Sequence, residues 1–110
     1  MIETTICNYL TQKLGVPVKP EKPAQPYDKM VFVERTGGRG KWIKQTTVAL
    51  QSYAASMYEA AKLNDEVIDA MLDIIELDEI VKIDLNQNYN FTDTTTKQYR
   101  YQAVFDISHY

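Results

Sequence analysis

Two stretches that alternate apolar and polar side chains, Lys29 to Thr36 and Lys41 to Tyr53, meet across Gly37, Gly38 and Gly40. Nothing else in the chain narrows the fold as much. Successive side chains of a strand leave on opposite faces, so Val31 and Val33 mark one face of the first stretch and Val48 and Leu50 one face of the second. Glycine enters positive φ without a steric penalty, and the glycine-rich link therefore predicts a hairpin.

An apolar sheet face needs cover, and two helical patterns supply it. Ile2, Ile6, Tyr9, Leu10 and Leu14 recur at spacings of three and four, predicting a helix that ends at Gly15, with Pro17 blocking its continuation. Ser56-Met-Tyr-Glu59 has the form of a capping box. The stripe Met57, Ala60, Ala61, Asn64, Val67, Ile68, Met71, Ile74 and Ile75, broken once by Asn64, carries the second helix to about Glu76. Strand alternation then returns at Val81, Ile83, Leu85, Gln87, Tyr89 and Phe91, and again at Tyr99, Tyr101, Ala103, Phe105 and Ile107, with Val104 as the exception. The polar run Thr92 to Lys97 between them reads as a mobile loop at a hairpin tip. The fold class expected is α+β in one domain spanning 1–110, an antiparallel sheet of about four strands with two helices on one face, in the order α-β-β-α-β-β. Residues 15–27 hold Pro17, Pro20, Pro23 and Pro26 at a period of three and read as an extended connector, with room for a short edge strand at Val16 to Val18.

Composition offers little to an enzyme. The apolar fraction of 45% and charged fraction of 25% are those of a soluble globular chain, which argues against disorder and membrane insertion. No apolar run approaches the ~20 residues of a spanning helix, and the start lacks the form of a signal peptide, so the chain is expected in the cytoplasm when made. A zinc site wants about four nitrogen or sulfur ligands, whereas the chain has one cysteine, Cys7, and one histidine, His109, near the end where order is least expected. Cys7 reads as a small buried hydrophobe. Gly37-Gly-Arg-Gly-Lys41 fails as a phosphate loop, because Trp42 and a strand follow the lysine where Ser or Thr and a helix are required. No catalytic residue, cofactor or metal is expected.

The net charge of -3 hides a strong asymmetry. From Lys13 to Lys44 eight basic residues face three acidic ones, and from Glu59 to Asp84 nine acidic residues face Lys62 and Lys82. The basic hairpin carries Arg35, Arg39, Lys41 and Lys44, while Asp65, Asp69 and Asp73 form a row at i, i+4 spacing on the second helix. Opposite territories on one chain attract copies of it head to tail; two solvated faces without a partner are the plainer alternative. The hairpin cations with Trp42 also suit nucleic acid, but the chain as a whole is acidic and direct binding is not expected. Eight tyrosines, among them Tyr53, Tyr58, Tyr89, Tyr99, Tyr101 and Tyr110 in or beside the sheet and second helix, suit either sheet packing or a surface covered on assembly.

From Ile6 to Ile107 the chain resembles the tail-completion, or tail terminator, proteins of long-tailed bacteriophages. The resemblance rests on Val31-Phe-Val-Glu-Arg-Thr-Gly-Gly38, on Val48-Ala-Leu-Gln-Ser-Tyr-Ala54 followed by Glu59-Ala-Ala61, and on Tyr89-Asn-Phe91 with Tyr99-Arg-Tyr101. It implies a non-enzymatic virion protein of the tail or neck, assembled in the host cytoplasm. It further implies a homo-oligomeric ring, expected to be a hexamer, on the tail tube protein, facing the head connector or head-completion protein, with DNA passing through. A head-completion or head-tail joining protein and a monomeric adaptor are the alternatives. Arg35, Arg39, Lys41 and Lys44 are expected to meet Asp65, Asp69 and Asp73 of a neighbour, and Gly38, Trp42, Thr94, Thr95 and Lys97 to touch the tube or connector.

Overall fold

Val33 lies opposite Leu50, Leu50 opposite Ala103, and Val48 opposite Phe105, so the separate apolar faces become one continuous face. The computed structural model describes residues 2–21 and 28–110. In chain order the elements are helix α1 (Ile2–Leu14), strands β1 (Val18–Lys19), β2 (Met30–Arg39) and β3 (Lys44–Ala54), helix α2 (Met57–Leu72), a 3-10 turn (Asp73–Glu76), and strands β4 (Ile80–Asn90) and β5 (Tyr99–His109). They form a five-stranded sheet in the order β1-β2-β3-β5-β4.

The sheet is mixed, which corrects the expectation of about four antiparallel strands in the order α-β-β-α-β-β. Val18 and Lys19 pair in parallel with Val31 and Phe32, and the Val31 N–H donates to the Pro17 carbonyl at 2.9 Å. Part of the connector is thus a strand, at Val18–Lys19 where a short edge strand at Val16 to Val18 was allowed for. Lys22, Pro23 and Pro26 of that connector lie outside the described residues.

Side chains of both helices enter the same core. Ile2, Ile6 and Leu10 of α1 and Leu63, Val67 and Met71 of α2 join Val31, Val33, Val48, Leu50, Ala103, Phe105 and Ile107. Phe105 is fully buried there, and burying a side chain of that size contributes about 1.5–3 kcal/mol. The helix ends follow the sequence signals. Gly15 sits at φ 68 and donates to the Thr11 carbonyl at 3.0 Å, and the Glu59 N–H donates to Ser56 Oγ at 3.2 Å.

Three local features differ from expectation. Gly37 and Gly38 belong to β2 and not to the turn, since a register shift between Arg35 and Gly37 lets the strand run on to Arg39. Gly40 alone takes positive φ in the turn, at 114, and a Cβ there would stand 2.3 Å from the Ile43 carbonyl oxygen. In β4, shifts between Ile80 and Lys82 and between Leu85 and Gln87 break the alternation. Leu85 opposes Phe105 on the helix side, but beyond the second shift Asn88 opposes Ala103 and Tyr89 opposes Gln102, so Tyr89 leaves the face it was expected to share with Leu85. Finally, His109 is not a frayed end. It is buried in β5, with Nε2 2.8 Å from Thr46 Oγ1 and Nδ1 3.1 Å from the Tyr110 carbonyl.

Candidate subunit interface

The hairpin between β2 and β3 projects Trp42 into solvent at 83% exposure, beside Ile43 at 45%. An isolated exposed tryptophan is the least stable placement its large apolar surface has. Arg39, Lys41 and Lys44 flank it along the chain, all exposed, and Lys41 Nζ lies 5.5 Å from the Trp42 ring centroid. Arg35, expected to belong to this group, lines one open depression with Arg39 and Lys44. It stands further down β2 and pairs with Glu3 of α1, Nε to Oε2 at 3.6 Å, an intramolecular bond on the helix side.

Asp65, Asp69 and Asp73 are exposed along α2, Asp73 forming its C-cap. Among the described residues no ion pair joins any of them to the basic hairpin. No basic residue occupies the last turn of α2, so Asp69 and Asp73 face the negative end of the helix dipole uncompensated, an arrangement that destabilises the isolated chain. The acidic territory continues through Glu76, Asp78 and Glu79, all exposed, with Glu76 3.4 Å from Lys13 of α1. Burial and the Glu76 carboxylate push the nearby Tyr9 phenol up.

Two apolar residues inside this acidic stretch differ from the sequence reading, which did not single out Leu72 and placed Ile75 in the buried stripe of the second helix. Leu72 is 42% and Ile75 47% exposed. Leu72 was legible as a leucine off the apolar stripe. The exposure of Ile75 was not, because the change from α-helix to 3-10 turn at Asp73 rotates it out of the stripe while Ile74 stays buried.

The other predicted contacts separate. Lys44 lies opposite His109, and His109 opposite Ile80, at one end of the sheet; Ala54 lies opposite Tyr99 at the other. Gly38 and Trp42 therefore stand at one end, and Thr94, Thr95 and Lys97 at the far end. That far turn is organised by its own chain. Asp93 and Gln98 bridge across it, and Asp93 Oδ1 accepts from the Thr95 N–H at 3.0 Å and the Thr96 N–H at 3.4 Å. The Thr96 hydroxyl, with these backbone donors, holds the Asp93 carboxyl below its usual value.

The sheet face away from the helices carries a polar ladder over three strands. Arg100 Nη1 donates to the Tyr53 hydroxyl at 3.1 Å, Tyr53 to Gln51 Oε1 at 2.8 Å, Gln51 Nε2 to Gln102 Oε1 at 3.0 Å, and Gln102 Nε2 to the Tyr89 hydroxyl. Near the hairpin this face has an open depression of about 500 Å³ lined by Arg39, Lys82, Asp84 and Asp106 among others. Its carboxylate at Asp106 is already satisfied, by the Thr47 hydroxyl at 2.8 Å and Asn86 Nδ2 at 2.9 Å. Among the described residues no three His, Cys, Asp or Glu side chains gather as a metal ion requires. Comparison with protein-family models gives no match, and comparison with curated proteins gives none either.

Proposed function

We propose that this chain is the subunit of a homo-oligomeric ring that caps the head-proximal end of a bacteriophage tail tube. The ring ends addition of tube subunits and presents a surface to the head connector or head-completion protein. The observation that carries this reading is the pair of unlike exposed surfaces on one chain, a cationic hairpin and an anionic helix end. Unlike surfaces make heterologous contacts, and such contacts generate closed rings when the rotation between copies closes. The resemblance in the hairpin, the β3 to α2 passage and the Tyr89 to Tyr101 region supplies the tail as setting and six as the expected number.

The sheet ends suit a cap with two rims. Gly38 at one end and Thr94, Thr95 and Lys97 at the other give the tube and the connector separate surfaces, and DNA passes through the ring without being read. Electron microscopy of lysates from a phage lacking this gene alone tests the reading. Overlong, headless tubes are expected, because polymerisation runs on without a cap. Tails of normal length beside full, unattached heads would assign the chain to head-tail joining, and intact particles would remove it from the virion.

A further inference from the structure

The hairpin tip and the end of α2 match in two respects at once. Residues 39–44 carry the cations Arg39, Lys41 and Lys44 around exposed Trp42 and Ile43, and residues 72–79 carry the anions Asp73, Glu76, Asp78 and Glu79 around exposed Leu72 and Ile75. We infer that the Trp42-Ile43 tip of one copy seats on the Leu72-Ile75 patch of a second copy, with Arg39, Lys41 and Lys44 among the acids that rim it.

The two surfaces do not satisfy one another within a chain. Both lie toward the same end of the sheet, since α2 begins near Asn90, whose Nδ2 donates to Met57 Sδ, and the chain after the 3-10 turn re-enters at Ile80 opposite His109. Yet Trp42 remains 83% exposed and Leu72 and Ile75 nearly half exposed, so the tip does not fold back onto the patch. An apolar centre with a charged rim is the usual anatomy of an interface, and tryptophan is the residue most enriched at its energetic centre. Complementary rim charge fixes the register and disfavours tip-to-tip and patch-to-patch pairing. The tip is also built to hold its shape: Gly40 at φ 114 approaches the Ile43 carbonyl so closely that no side chain fits there. The assignment moves Trp42 from the tube or connector surface to the neighbouring subunit. It rests on the ring reading for its setting but not for its test.

Trp42 is the only tryptophan, so its fluorescence reports the contact directly. Sedimentation of the purified chain over a wide concentration range at low ionic strength is expected to show mass rising with concentration. Tryptophan emission should shift to shorter wavelength over the same range and lose accessibility to iodide. High salt should reverse both. Trp42→Ala should weaken association by at least about 30-fold, the size of a hot-spot truncation, with Ile75→Lys doing the same from the other side while leaving monomer circular dichroism unchanged. A chain monomeric throughout, or oligomers in which the tryptophan stays as exposed as in the monomer, overturns the inference. Association that stops at two copies, each tip seated reciprocally, supports the contact and counts against the ring. Tail length in the deletion phage decides the terminator reading separately.

Discussion

Gly40 is the residue whose replacement has the most direct structural consequence. Its φ of 114 and the 2.3 Å approach of a built Cβ to backbone leave alanine no relaxed position, so Gly40→Ala should destabilise the chain by more than about 1 kcal/mol. Gly37→Ala, where nothing lies within 4 Å of the added carbon, should be much milder. Thermal unfolding of the two variants tests the contrast, and equal losses would mean that the tip conformation is wrong. Asp93 gives a pH prediction. Its folded value is lowered from 3.8 by the Thr96 and Thr95 donors, so the turn gains order that is present above that value and lost as pH falls through the lowered folded value. The Thr95 and Thr96 amide resonances should therefore titrate below 3.8, and Asp93→Ala should abolish the transition. A midpoint at the ordinary value would show that the donors are not engaged. Cys7, whose thiol is pushed up by burial first and by Glu3 second, should react with a thiol reagent only as the chain unfolds. At this scale the Ser56 cap and the Gly15 stop were legible because each is a local hydrogen-bond pattern. The sole positive-φ glycine of the hairpin was not, since three glycines compete for it and the shift at Arg35 decides.

Helix α2 combines a legible half with one that tertiary contacts set. Its buried side follows the 3.6-residue period, and even Asn64, the break in that stripe, has a reason: its Nδ2 donates to Asn88 Oδ1 at 2.7 Å. Sequence alone did not reveal the partner, because a bulge in β4 adds one residue and exchanges the two faces beyond it, bringing Asn88 under the helix. The exposed side conflicts with local stability. Asp69 and Asp73 sit in the last turn and at the C-cap, where negative charge is unfavourable by about 0.3–1 kcal/mol per residue. Asp69→Asn with Asp73→Asn should raise the melting temperature of the monomer and lower its tendency to associate. A surface kept for solubility alone would give the first effect without the second, so sedimentation beside thermal melts separates an interface from a merely solvated face.

For the whole molecule, the question is whether two unlike surfaces recognise each other, and charge exchange between copies answers it. Consider one variant with Arg39, Lys41 and Lys44 changed to Glu, and a second with Asp73, Glu76 and Glu79 changed to Lys. In the first, an anionic tip meets an anionic patch; in the second, a cationic tip meets a cationic patch. Neither should self-associate at low salt. Mixed in equal amounts they should, because the unaltered tip of the second fits the unaltered patch of the first, and the reversed tip of the first fits the reversed patch of the second. The mixture must alternate around any closed assembly, so only even-numbered rings form, and the expected hexamer satisfies that condition. Native mass spectrometry would then find six copies, three of each kind. Variants that still associate alone as the parent does would exclude the charged rims from the contact. Recovery of association in the mixture as open chains of variable length would keep the recognition but show that the rotation between copies does not close without the tube beneath it.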